Sequence, residues 1–156
     1  MQTRILAGAG LSLAAANLYV RSRARRAERT HPPRGRFIDS DGVRLHYYER
    51  GDGPPLVLLH GLGSSLEDFA TSGLVAEASR RYRVLAFDRP GYGYSTRPRG
   101  RIWHPWAQAA VLRSALRQLE AHRPIMLGHS WGALVAVAYA QAFPGGARSL
   151  VLASGL

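Results

Sequence analysis

A chain of 156 residues with 46% hydrophobic residues is long enough for one domain with its own core, and its apolar content suits a globular protein. It contains no cysteine, which excludes disulfides and thiolate metal sites. The net charge of +11 is uneven: residues 1–36 carry eight arginines against one glutamate and the other 120 carry thirteen against nine, so the basic excess is mainly N-terminal.

Ile5 to Val20 is a sixteen-residue apolar stretch followed at once by Arg21-Ser22-Arg23-Ala24-Arg25-Arg26. Three readings compete. A membrane anchor needs roughly 20 apolar residues, a length that snorkelling arginines would extend this stretch toward. A signal peptide fits Arg4, the apolar core and the small residues Ala14-Ala15-Ala16, although arginines directly after that site oppose export. The third reading is a leader without consequence. The anchor is the expectation carried forward, with membrane contact through residues 5–36 and the following domain in the cytoplasm, export being the alternative. The arginine run lacks interleaved aromatics, so no nucleic-acid partner is expected. Thr30 to Gly35 reads as a linker, which divides the chain into a leader over residues 1–35 and a folded domain over residues 36–156.

Arg36 to Asp39 and Val43 to Glu49 flank the turn signal Ser40-Asp41-Gly42, and alternation in the second run predicts a hairpin with one buried face. Pro55 to His60 is apolar without alternation, the pattern of a strand covered on both faces. Ser64 and Ser65, followed three residues later by Glu67 and Asp68, resemble a capping box opening a helix that continues toward Ala78. Tyr82 to Asp88 is a second buried strand, closed by Arg89-Pro90-Gly91-Tyr92-Gly93-Tyr94-Ser95. Pro105 opens a helix in which Leu112, Leu116 and Leu119 recur at helical spacing. Ile125 to Leu127, the run from Trp131 to Ala142, and Ser149 to Ala153 complete the alternation as strand, helix and strand. Alternation of this kind calls for a mostly parallel sheet with helices on both faces.

Between the last two of these strands lies Gly128-His129-Ser130-Trp131-Gly132. A strand that turns this sharply into a helix holds its central residue in a strained conformation, and the positions two before and two after must be small. Both are glycine. The turn lifts the Ser130 hydroxyl clear of the backbone, beside the free N–H groups of a helix's first turn, as a nucleophile would need.

Three motifs follow three consecutive strands: His60-Gly61-Leu62-Gly63, Asp88 to Ser95, and Gly128 to Gly132. Together they resemble the N-terminal part of the α/β-hydrolase family, over Arg36 to Leu156. The resemblance implies an α/β three-layer sandwich, truncated after about the sixth strand. It implies acyl transfer from a small-molecule ester or related acyl substrate, with Ser130 as nucleophile and the backbone N–H groups of Leu62 and Trp131 as oxyanion donors. No cofactor and no metal are implied. Relatives that open epoxides or displace halide carry aspartate at the elbow, so serine disfavours those chemistries. His60, Gly61, Gly63, Asp88, Gly128, His129 and Gly132 are implied to be structural, the two histidines by tying loops together.

The remaining histidines, His31, His46, His104 and His122, read as surface or capping residues, and Asp88 as fixing its own loop through Arg89 or backbone N–H groups. Trp103, Trp106, Tyr92 and Tyr94 either line an apolar pocket or pack under a cap. No aspartate, glutamate or histidine follows Ser130, whereas the family order is serine, acid, histidine. These 156 residues are therefore expected to be a fragment with little activity of its own. Two other readings stay open, a non-catalytic membrane-attached module and a basic segment binding an acidic partner.

Overall fold

The computed structural model describes residues 15–20, 22–24, 26 and 29–154. The chain divides into two compact units, Met1–Arg34 and Gly35–Leu156.

In the first unit residues 15–20 are helical, and Leu18, Tyr19 and Val20 are exposed. Residues 5–14 of the expected anchor lie outside the described residues. Among the described residues no helix is long and apolar enough to cross a membrane. That finding corrects the expected membrane association, and the cytoplasmic or exported placement argued from it loses its basis.

The second unit is a six-stranded sheet between helical layers. In chain order it contains β1 (Arg36–Ser40), β2 (Val43–Arg50), β3 (Pro55–Leu59), α1 (Glu67–Thr71), α2 (Leu74–Ala78), β4 (Arg83–Phe87), α3 (Pro105–Gln118), β5 (Ile125–His129), α4 (Trp131–Ala142) and β6 (Ser149–Ala153). The strand order is β1-β2-β4-β3-β5-β6. The β1-β2 hairpin closes around Asp41-Gly42, with Ser40 opposite Val43, and β2 runs antiparallel to β4. β4, β3, β5 and β6 are mutually parallel.

The period-two geometry of the central strands sorts their side chains onto two faces. Val57, Leu59, Leu85 and Phe87 form one core with Leu112 and Leu116 of α3 and Val135 and Tyr139 of α4. Leu56, Leu58, Val84 and Ala86 form the other with Leu66, Phe69 and Val75. Both faces are covered, which is why β3 and β4 read as unbroken apolar runs.

Two local expectations change. The helix expected to continue to Ala78 is two five-residue helices, because Gly73 has φ +80°. Neither serine caps α1: its N-cap is Leu66, the Ser65 hydroxyl accepts the Glu67 N–H at 3.3 Å, and the Ser64 hydroxyl donates to the Asp68 carboxylate. On β2, Val43, Leu45 and Tyr47 are buried on one face as alternation requires, yet His46 on the opposite face is only 1% exposed.

Candidate active site

The parallel register pairs Leu59 with both Phe87 and Gly128, so β3, β4 and β5 end at one level. The three motifs leave the sheet from that edge, where open parallel sheets place their ligands.

At the β5 end, Ser130 has φ 51° and ψ −119°, a conformation costing a non-glycine residue about 1–3 kcal/mol. Two backbone bonds hold it there, Ser130 N–H to the Ala153 carbonyl and Ala133 N–H to the Ser130 carbonyl, both at 2.9 Å. The flanking glycines are steric necessities. A Cβ on Gly132 would overlap the Leu59 carbonyl, and one on Gly128 would overlap the Gly132 carbonyl and the Ala133 backbone. Ser130 precedes the first turn of α4, and its own hydroxyl has no hydrogen-bond partner among the described residues.

The β3 end supplies the facing loop. A Cβ built on Gly61 would lie 3.2 Å from the Ser130 Cβ and 3.1 Å from His129 Nδ1, so this backbone packs directly onto the elbow. Leu62 is 69% exposed. The N–H groups of Leu62 and Trp131 donate to no protein acceptor among the described residues.

His60 is buried with both ring nitrogens committed. Its Nδ1–H donates to the Gly61 carbonyl at 2.9 Å, and Nε2 accepts the Arg89 N–H at 3.0 Å. Burial, aided by the Arg89 charge, pulls its pKa down to about 4 against smaller opposing contributions from the Gly61 bond, Asp88 and Asp68, so the ring is neutral at neutral pH. A histidine with no free lone pair cannot serve as a general base. The His129 side chain is exposed and makes no hydrogen bond among the described residues, and its ring lies against the Gly61 backbone of the facing loop.

At the β4 end, Asp88 is an acceptor hub. Oδ1 accepts the Leu66 N–H at 2.9 Å, and Oδ2 accepts His46 Nδ1–H at 2.8 Å and the Tyr94 N–H at 3.0 Å. It fixes its loop through backbone donors, with His46 rather than Arg89 as its side-chain partner. The carboxylate fixes the proton of His46 on Nδ1, which leaves Nε2 as a buried lone pair with no partner. A lone pair is cheaper to leave unsatisfied than an N–H. His46 is thus a core residue, its ring between Phe37 and Tyr94. His104 caps α3 by accepting the Ala107 N–H at 3.2 Å, and His122 is exposed.

The aromatic residues divide. Trp103 is buried in the core, Trp106 is exposed, Tyr92 meets the His60 ring edge-on, and Tyr94 meets His46. Among the described residues no three His, Asp or Glu side chains converge to hold a metal ion. The His46–Asp88 pair is a contact that sequence reasoning missed, and nothing in the local pattern around His46 signals it.

This fold, with a strained serine elbow after β5, defines the class: the chain belongs to the α/β-hydrolase fold family, whose pattern matches residues 54–156. It is 34% identical over 119 residues to the 2-hydroxy-6-oxo-2,4-heptadienoate hydrolase of Pseudomonas putida, covering 76% of this chain and 43% of that protein. It is 35% identical over 129 residues to the 2-hydroxymuconate semialdehyde hydrolase of a Pseudomonas species, covering 81% and 45%. A solved meta-cleavage product hydrolase from Pseudomonas fluorescens superposes with a TM-score of 0.72 at 26% identity, over 78% of this chain and 45% of that one. The chain spans less than half the length of each of these relatives.

Proposed function

We propose that the chain carries the nucleophile half of a serine hydrolase acting on a small-molecule carboxylic ester or related acyl compound. The Ser130 oxygen bonds to the substrate carbonyl carbon as its proton passes to a base; when the tetrahedral intermediate collapses the alcohol leaves with that proton, and water then attacks the acyl-serine, releasing the acid and restoring the Ser130 hydroxyl. The backbone N–H groups of Leu62 and Trp131 receive the negative oxygen of that intermediate, and one such bond is typically worth about a hundredfold in rate or more. The observation that carries this reading is the backbone of Ser130, held at φ 51° between two glycines that admit no Cβ. Strain of that size is maintained where it aims a side chain.

The base is the weak point. No aspartate, glutamate or histidine follows Ser130 in these 156 residues, and His60 has no free nitrogen. The chain by itself therefore turns over little substrate. A fluorophosphonate probe tests both parts. We expect slow labelling of Ser130, accelerated by added imidazole and abolished in Ser130→Ala. Rapid stoichiometric labelling without imidazole would contradict the low activity, and labelling that survives in Ser130→Ala would remove the serine from its role.

The two curated relatives favour a second substrate class for the same serine. Their names carry a keto or aldehyde carbonyl rather than an ester, and attack there leads to carbon–carbon cleavage. With imidazole present, turnover of a 2-hydroxy-6-oxo-dienoate in preference to a p-nitrophenyl ester supports it, and the reverse preference rejects it.

A further inference from the structure

Arg89 is a buried cation without a counter-ion. It is 2% exposed, and among the described residues no carboxylate pairs with it. Asp88 beside it gives its oxygens to Leu66, His46 and Tyr94. The guanidinium instead donates from Nε to the His60 carbonyl at 2.9 Å, from Nη1 to Gln108 Oε1 at 3.1 Å and from Nη2 to the Gly61 carbonyl at 2.8 Å. It also lies 4.4 Å from the centre of the Tyr92 ring, whose face favours a cation. Burial lowers its pKa, but a guanidinium starts so far above neutrality that it stays charged. Leaving a buried charge unpaired is among the costliest arrangements a core can hold.

Two of the donors converge on one oxygen. The Gly61 carbonyl accepts both Arg89 Nη2–H and His60 Nδ1–H. The other end of that peptide unit is the N–H of Leu62. Among the described residues no peptide bond is cis, so the Gly61 carbonyl and the Leu62 N–H point in opposite directions across the peptide plane. A carbonyl drawn inward to Arg89 therefore turns the Leu62 N–H outward, on a loop whose Gly61 packs against Ser130. Hydrogen bonds accepted at a carbonyl also polarise the amide and strengthen its N–H as a donor.

We infer that Arg89 is a positioning residue for the oxyanion hole. Its charge orients and polarises the Gly61–Leu62 peptide and places a cation with no direct ion-pair partner behind the N–H that receives the developing negative charge. This inference rests on the serine-hydrolase reading above. It assigns the role to the charge, whereas a simple tie between the β3 and β4 loops would need only the hydrogen bonds.

Three variants of the 156-residue chain, Arg89→Met, Gln108→Glu and Gln108→Met, separate these roles. Arg89→Met removes charge and bonds together. In protein labelled with carbonyl-¹³C glycine and ¹⁵N leucine, the four Gly-Leu peptides of the sequence are selected, and Leu62→Met identifies the one that matters. We expect Arg89→Met to move the Gly61 carbonyl signal upfield and to slow imidazole-assisted phosphonylation of Ser130 about tenfold or more. Gln108→Glu keeps the arginine and its bonds to the loop but places a carboxylate against the guanidinium and loses the Gln108 Nε2–H bond to the Trp103 carbonyl. Gln108→Met loses that bond without adding charge, so phosphonylation slower in Gln108→Glu than in Gln108→Met supports the inference. An unmoved Gly61 signal in folded Arg89→Met overturns it, as does phosphonylation in Gln108→Glu no slower than in Gln108→Met. The Gln108→Glu result stands even where Arg89→Met fails to fold. Absence of any Ser130 labelling in the unmodified chain would count against the serine-hydrolase reading, and the Gly61 signal would still decide whether Arg89 polarises the peptide.

Discussion

His60 carries the clearest acid-dependent contribution to stability. In the unfolded chain a histidine takes up its proton near pH 6.5, while burial holds the folded residue down to about pH 4. Between those values the unfolded state binds more protons, so stability is complete above pH 6.5 and declines as the pH falls toward 4. A shift of this size corresponds to roughly 3 kcal/mol over the window. We expect the urea midpoint of the wild-type chain to fall across that range and His60→Gln to flatten the dependence. Equal slopes for the two proteins would assign the acid sensitivity to other groups. At the same scale, His46 and His60 differ in how far their rings are satisfied: His60 uses both nitrogens, whereas His46 gives one to Asp88 and leaves the other bare.

Two glycines at helix starts look alike in the sequence and differ in what they protect. Gly73 separates α1 from α2 at φ +80°, and nothing lies within 4 Å of a Cβ placed there. Gly73→Ala meets only the backbone penalty of that conformation, and we expect a loss of about 1 kcal/mol. Gly132 is helical, but its Cβ would overlap the Leu59 carbonyl, so alanine forces α4 away from β3. For Gly132→Ala the expected loss is about 3 kcal/mol or more, accompanied by loss of Ser130 labelling. Denaturant titration of both variants checks the ranking, and a larger loss at Gly73 would reverse the assignment of backbone strain and steric overlap. The contrast also marks how these elements are specified: a positive φ interrupts a helix without regard to packing, whereas the elbow depends on β3 lying beside it.

Across the whole sheet, β6 occupies an edge and carries Val151 at 46% and Leu152 at 49% exposure. An apolar edge strand is a template for pairing with other chains. We expect concentration-dependent self-association by light scattering, reduced in Leu152→Lys, and association unaffected by that change would place the contact elsewhere. Strands, helices and elbow were legible in the amino-acid order because each is encoded within a few residues, by apolar period, glycine spacing and proline. Period also explains why β3 and β4 read as covered on both faces before either cover was known. What the order could not show is which distant groups meet. The alternation on β2 made His46 a solvent-facing residue, but the antiparallel register sets Tyr47 opposite Phe87 and so brings His46 to Asp88, 42 positions away. The same holds for Arg89, whose partners His60, Gly61 and Gln108 come from two other elements. Sequence by itself determined the fold class and the position of the elbow, since local backbone preference and hydrophobic pattern suffice for both. Tertiary structure alone decided the protonation of His60, the burial of His46 and the unpaired charge beneath the Gly61–Leu62 peptide, because desolvation and hydrogen bonding depend on residues that meet only after the sheet has assembled.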